Sequence, residues 1–93
     1  MRWDRKEYRQ LIEAVLNLET TDEAQRFLRD LLTEGEIHEF ATRLKTAELL
    51  SKRVPYSQIE QETGFSSATI ARVSKWLRGG EGGYRAMLRK LAT

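Results

Sequence analysis

The 93-residue sequence predicts an all-α fold of about six helices. Three observations lead there. No run alternates apolar and polar residues as a half-buried strand would. Apolar residues recur instead at three- and four-residue spacing along most of the chain. Helix breakers are few and clustered: one proline, Pro55, and six glycines, four of them in the run RGGEGGY.

The first helix is expected from about Asp4 to Leu18, with Tyr8, Leu11, Ile12, Val15 and Leu16 on one face and Asp4 capping its start. The second opens near Thr20 or Thr21. Thr20 and Glu23 have the spacing of a capping box, in which hydroxyl and carboxylate satisfy the free amide donors of the first turn. Its apolar face is Ala24, Phe27, Leu28, Leu31 and Leu32. Thr33 and Glu36 repeat the signature and open a third helix, which runs through Ile37, Phe40, Ala41, Leu44, Ala47, Leu49 and Leu50 to about Lys52. Pro55 breaks the pattern but is tolerated in a first turn. A short helix from about Tyr56 to Thr63 ends at Gly64, where a left-handed residue suits the cap. A fifth helix covers about Ser67 to Arg78. After the glycine cluster a sixth covers about Tyr84 to Leu91.

A chain of this length buries only about two-thirds of its unfolded surface. It has no cysteine and a single histidine, His38, so neither disulfides nor a structural zinc site can compensate. The first two helices each present a full apolar face, which points to packing between subunits. No window approaches the ~20 apolar residues of a membrane span. The N-terminal MRWDRKEYRQ lacks the apolar core of a signal peptide. A cytoplasmic setting without membrane partners is expected.

The formal net charge is only +2, yet its distribution is uneven. Residues 1–40 hold six basic and ten acidic groups, a net of −4; residues 41–93 hold ten basic and four acidic groups, a net of +6. A basic half suggests a polyanionic partner.

The segment YSQIEQETGFSSATIARVSK fits a helix-turn-helix. Ile59 faces inward from the first helix, Gly64 makes the turn, and Phe65 follows it. Ser66 caps the second helix, and Ile70 and Val73 pack that helix back on the first. The positions left facing out are Ser67, Ala68, Thr69, Ala71, Arg72 and Lys75. Small side chains at the leading end permit close approach to base edges. Thr69 can donate, accept and touch a thymine methyl, and Arg72 can read guanine. Arg43, Lys45, Lys52, Arg53, Ser57, Arg72 and Lys75 are the candidates for phosphate contacts. One position departs from the usual pattern: Glu60 stands where a small residue generally lets the helices approach. The plain alternative is a core hairpin, and the alternative function is a protein-interaction module of the same fold whose helix pair docks a partner protein.

Other features point away from chemistry. RGGEGGYR lacks the spacing of a phosphate loop and no strand precedes it, so a hinge before the last helix is expected. His38, beside Glu34, Glu36 and Glu39, reads as part of a solvated helix face. No nucleophile–base set can be assembled, and Glu60 and Glu62 lie two apart on a helix and point in different directions. An enzyme is not expected.

The runs LLTEGEIHEFATRLKTAELL and VPYSQIEQETGFSSATIARVS, with RGGEGGY after them, resemble the bacterial Trp repressor superfamily, and within it the Trp-repressor-like YerC/YecD group of Firmicutes. The resemblance is strongest from Leu31 to Tyr84 and weak before about Thr20. It implies one domain, with a dimerisation core over about residues 1–52, the helix-turn-helix over about 55–78 and a C-terminal helix over about 81–93. It further implies an intertwined homodimer acting as a transcriptional regulator, a repressor in the family's usual manner. Such a dimer would address a double-stranded operator at half-sites about 34 Å apart. Thr33, Arg43 and Arg72 match family positions around the tryptophan corepressor. Val73 stands where the family has a glycine that makes room for the indole, and Trp76 where it has a small serine. Both replacements add bulk. The expectation is that Val73 and Trp76 fill the slot from within, so that no cofactor is needed. L-Tryptophan or another small corepressor is then disfavoured.

Overall fold

The computed structural model describes all 93 residues and is all-helical. Six helices follow one another: α1 (Lys6–Leu16), α2 (Thr21–Leu31), α3 (Glu34–Ser51), α4 (Tyr56–Thr63), α5 (Ser67–Gly79) and α6 (Gly83–Leu91). The chain divides into two compact units, Met1–Ile37 and His38–Thr93. No helix is long and apolar enough to cross a membrane.

In the first unit the helix starts follow local hydrogen-bonding chemistry. The Thr20 hydroxyl accepts from the Glu23 amide at 3.1 Å, while the Glu23 carboxylate accepts from the amide of Glu19 at 3.0 Å. At the entry to α3 the box is reciprocal: the Glu36 amide donates to the Thr33 hydroxyl at 3.1 Å, and the Thr33 amide donates to the Glu36 carboxylate at 3.0 Å. The expected cap on α1 is different. Arg5, not Asp4, occupies the cap position and makes no side-chain cap bond. Asp4 is held by Arg2, whose guanidinium donates to both carboxylate oxygens at 3.3 and 3.0 Å. That hydrogen bond, then one from the backbone of Asp4 itself, lowers the Asp4 pKa below its ordinary value. A charged donor two residues away outcompetes the neutral amides of the first turn. Trp3 lies edge-on to Tyr8 with ring centroids 6.5 Å apart.

Neither α1 nor α2 has a buried residue. Leu11, Ile12, Val15, Leu28 and Leu31 are all exposed, and Leu16 keeps 77% of its surface in water. The apolar faces predicted for these helices are present and largely exposed, with only Tyr8, Ala24, Phe27 and Leu32 half-buried.

The second unit has its own core. Ala47, Leu49 and Leu50 of α3 cluster with Ile59 of α4 and with Ile70, Val73 and Leu77 of α5. Val54, Phe65, Tyr84 and Leu88 pack around that cluster. Thr46 and Ser74 are also buried. Thr46 meets its hydrogen-bonding need within α3, where its hydroxyl donates to the Thr42 carbonyl at 2.8 Å. This return bond lets a polar residue sit in an apolar core at little cost.

Helix α3 ends in a Schellman turn. The Arg53 amide donates to the Leu50 carbonyl at 3.0 Å and the Val54 amide to the Leu49 carbonyl at 3.1 Å. The turn needs a left-handed residue, a position where glycine is usual. Here it is Arg53, at φ 60°. A second tight place lies after α5. A Cβ on Gly80 would fall 2.5 Å from the Trp76 carbonyl oxygen and 2.7 Å from Cε3 of its ring, so only glycine fits beside that indole.

Candidate nucleic-acid interface

The joint between α4 and α5 is built from four consecutive residues. Gly64 caps α4 in the left-handed region, φ 76°, with its amide on the Glu60 carbonyl at 2.9 Å. The Thr63 hydroxyl donates to the Ile59 carbonyl at 2.7 Å and accepts from the Phe65 amide at 3.1 Å, so one side chain ties both arms of the turn. Ser66 caps α5, its oxygen accepting from the Thr69 amide at 3.2 Å. The roles expected for Ile59, Gly64, Phe65 and Ser66 are all present. Thr63 escaped the sequence reading because a threonine at a helix end carries no distinctive pattern; its value depends on the turn that follows.

Helix α5 buries Ile70, Val73, Ser74 and Leu77 along one side. Spacing of three and four residues places Ser67, Ala68, Ala71, Arg72 and Lys75 on the opposite side, and all five are exposed. Thr69 differs from its neighbours. It is half-buried, and its hydroxyl lies 3.0 Å from that of Ser66, within the cap. Ser57 is exposed in the first turn of α4.

The remaining cations fall into two groups. Arg43 is paired with Glu39 at 3.1 Å and stacks over Phe40, 5.5 Å from the ring centre; Lys45 is paired with Glu48 at 2.8 Å. The hydrogen bond from Lys45, then its charge and that of Lys52, holds the Glu48 carboxyl below its ordinary value, and Glu48 correspondingly raises the Lys45 pKa. Beyond Lys45 the pattern changes. None of Lys52, Arg53, Arg72, Lys75, Arg78, Arg85, Arg89 and Lys90 belongs to an ion pair; all six pairs lie between Arg2 and Glu48. The basic stretch therefore carries uncompensated charge as well as an excess of it.

Of the residues expected to line a corepressor slot, Arg43 and Trp76 come together. They line an open groove of about 470 Å³ with Glu81, Gly83, Tyr84 and Met87. Val73 is not at that groove; it is sunk in the core of the second unit. Arg72 is on the exposed side of α5 and Thr33 belongs to the first unit, where it caps α3. Trp76 remains 55% exposed.

Six helices, the fourth and fifth joined by a tight glycine turn behind an exposed, carboxylate-free helix face, define a helix-turn-helix protein. The chain belongs to the Trp repressor family, whose sequence model, described as Trp repressor protein, matches residues 6–92. The uncharacterised protein YerC of Bacillus subtilis is 42% identical over 83 residues, covering 89% of this chain and 80% of YerC. Among solved structures, a TrpR-like protein from Eubacterium eligens superposes with a TM-score of 0.93 at 34% identity, over 99% of this chain and 95% of that one. A provisionally assigned Trp repressor from Staphylococcus aureus superposes with a TM-score of 0.90, also at 34% identity, over 98% and 91% of the two chains.

Proposed function

We propose that the protein is a homodimeric, sequence-specific DNA-binding regulator, acting as a repressor, that reads the major groove with α5. The observation that carries this reading is the outer side of α5 and its surroundings. Small residues lead, Arg72 and Lys75 follow, and no cation from Lys52 onward is tied up by a carboxylate. Free cations can exchange their counterions for DNA phosphates, which is the main source of affinity. Ser67, Ala68, Thr69, Ala71 and Arg72 would meet bases; Ser57, Lys52 and Lys75 would meet phosphates. Arg43 and Lys45 would have to leave Glu39 and Glu48 to join them, so they add less. The uncovered apolar faces of α1 and α2 support a dimerisation core within residues 1–52, because a second copy can bury what one chain leaves in water.

We infer DNA binding independent of tryptophan from the added bulk at positions 73 and 76 together, with Val73 in the core and Trp76 at the groove that it lines with Arg43. A side chain buried in the core at position 73 takes up volume that the family's glycine leaves open. Trp76 contributes bulk at the rim rather than a plug.

Selection of bound sequences from a random duplex library, with and without L-tryptophan, tests the whole reading. The expected result is a palindromic consensus with half-sites one helical turn apart, the same in both arms. No enrichment at low salt would instead favour the same fold docking a protein. Lys75→Ala should weaken all sequences alike and flatten the salt dependence by about one unit of slope, whereas Thr69→Ala should change the preferred sequence.

A further inference from the structure

The strongest unexplained feature lies away from the reading end of α5. The α3–α4 turn, the last turn of α5 and the first turn of α6 border an open concavity of about 630 Å³. Arg53, Arg78 and Arg85 line it, with Ser51, Tyr56 and the apolar Leu50, Val54 and Leu77. No carboxylate lines it, and none of the three arginines is in an ion pair.

Two further details set this cluster apart from scattered surface charge. Arg85 is held in place: its guanidinium donates to the Arg78 carbonyl at 2.9 Å, at the negative end of α5. Its other N–H groups stay free for a ligand. Arg53 sits at the left-handed position of the turn, φ 60°, where glycine would be unstrained. A non-glycine residue in the left-handed region beside two like charges points to binding rather than to folding.

We propose that this concavity is a site for a phosphoryl group carried on a small molecule with an aromatic or apolar body. Guanidinium groups match phosphate oxygens with paired N–H donors, which makes arginine the preferred partner for this group. Tyr56 and the apolar lining supply a surface for the rest of the ligand. A DNA backbone is a poorer occupant. Arg78 is nine residues beyond Thr69, about 13 Å along the helix at 1.5 Å per residue, and one turn past Lys75, the last phosphate candidate on α5, while Leu50, Val54 and Leu77 give the site an apolar lining. The assignment gives Arg53 a different partner from the one expected of it as a DNA-phosphate contact, and it stands whether or not α5 reads DNA.

The test is phosphorus NMR of the full chain without DNA, at fixed ionic strength, with inorganic phosphate and adenosine 5′-monophosphate as probes. Both should show saturable shifts, with the nucleotide bound more tightly. Arg78→Gln should weaken binding at least tenfold, since only the backbone carbonyl of Arg78 has a structural part. Arg53→Gly should also weaken binding at least tenfold while leaving the thermal midpoint equal or higher, a split that a purely structural arginine would not give. Unsaturable shifts, or shifts unchanged in Arg53→Gly and Arg78→Gln, overturn the site. Tighter binding of inorganic phosphate than of the nucleotide overturns the apolar body. Displacement of both probes by a random-sequence duplex, with the duplex losing affinity in the same variants, overturns the small-molecule ligand in favour of DNA phosphates.

Discussion

In Met1–Ile37, arginines 2, 5, 26 and 29 each face a nearby carboxylate, and the apolar sides of α1 and α2 lie in water. In His38–Thr93, apolar residues from α3, α4 and α5 close over one another, and every cation after Lys45 is without an acidic partner. The first region has four of its six cations paired with carboxylates and its greasy surface unused. The second has its greasy surface used and its charge unneutralised. Burial of apolar area is the main drive for packing, and free cations are the main drive for binding polyanions. The contrast therefore matches the division of labour in the proposed regulator, with one region joining subunits and the other meeting nucleic acid.

The sharpest test of that contrast sets a core residue against a face residue. Ile59 is fully buried, so Ile59→Ala should cost about 2–5 kcal/mol in chemical denaturation. Ile12 keeps 43% of its surface exposed within the chain. Ile12→Asp should convert dimer to monomer in light scattering while Tyr84 and its neighbours keep their native chemical shifts. A monomeric wild-type protein would break the comparison at once.

Within the second region, Gly80→Ala should cost about 1–3 kcal/mol by crowding Trp76, and Trp76 fluorescence should shift with it. The loss of the α5 cap is smaller. Ser66→Ala should lower stability by about 1 kcal/mol, and amide exchange should rise first at Thr69, whose N–H it leaves unpaired.

The smallest effect is expected at Lys45 and Glu48, an exposed pair. The Glu48 pKa is lowered, so its contribution is present above the ordinary glutamate value and fades as pH falls through the lower folded one. The Lys45 pKa is raised, so its contribution is present below the ordinary lysine value and fades as pH rises through the higher folded one. The stability difference between wild type and Glu48→Gln should thus be flat across neutral pH and vanish in acid. A difference that changes sign near neutrality would show another titrating group at work.

Much of the helical plan is legible in the chain. The α4 span is Tyr56–Thr63 as the proline and glycine on either side imply, and the Thr33–Glu36 box opens α3 where its spacing requires. These signals act over three or four residues, so sequence displays them directly. Losses occur where a neighbour distant in sequence, or a local competitor, decides. Asp4 has the right chemistry for a cap, but Arg2 takes it. Nothing in the run SKRVPY marks Arg53 as left-handed, since the usual marker is glycine. Thr69 looks like an outward residue by periodicity, yet its hydroxyl belongs to the cap with Ser66. Trp76 and Gly80 read as a bulky residue and a hinge, while their close approach depends on the backbone path after α5.

The Thr63 hydroxyl, which fastens both arms of the α4–α5 turn, has a consequence for how this protein can change over generations. The hydrogen bonds of the joint run among residues 59 to 70, and the packing that seats the pair uses Ile59, Ile70 and Val73. Ser67, Ala68, Ala71 and Arg72 take no side-chain part in either. Those four positions are free to vary as a set, and substitutions that share no partner with the turn combine almost independently of it. New target preferences can arise by drift at four sites on an unaltered frame, with Thr69 as the one reading candidate whose replacement also disturbs the frame.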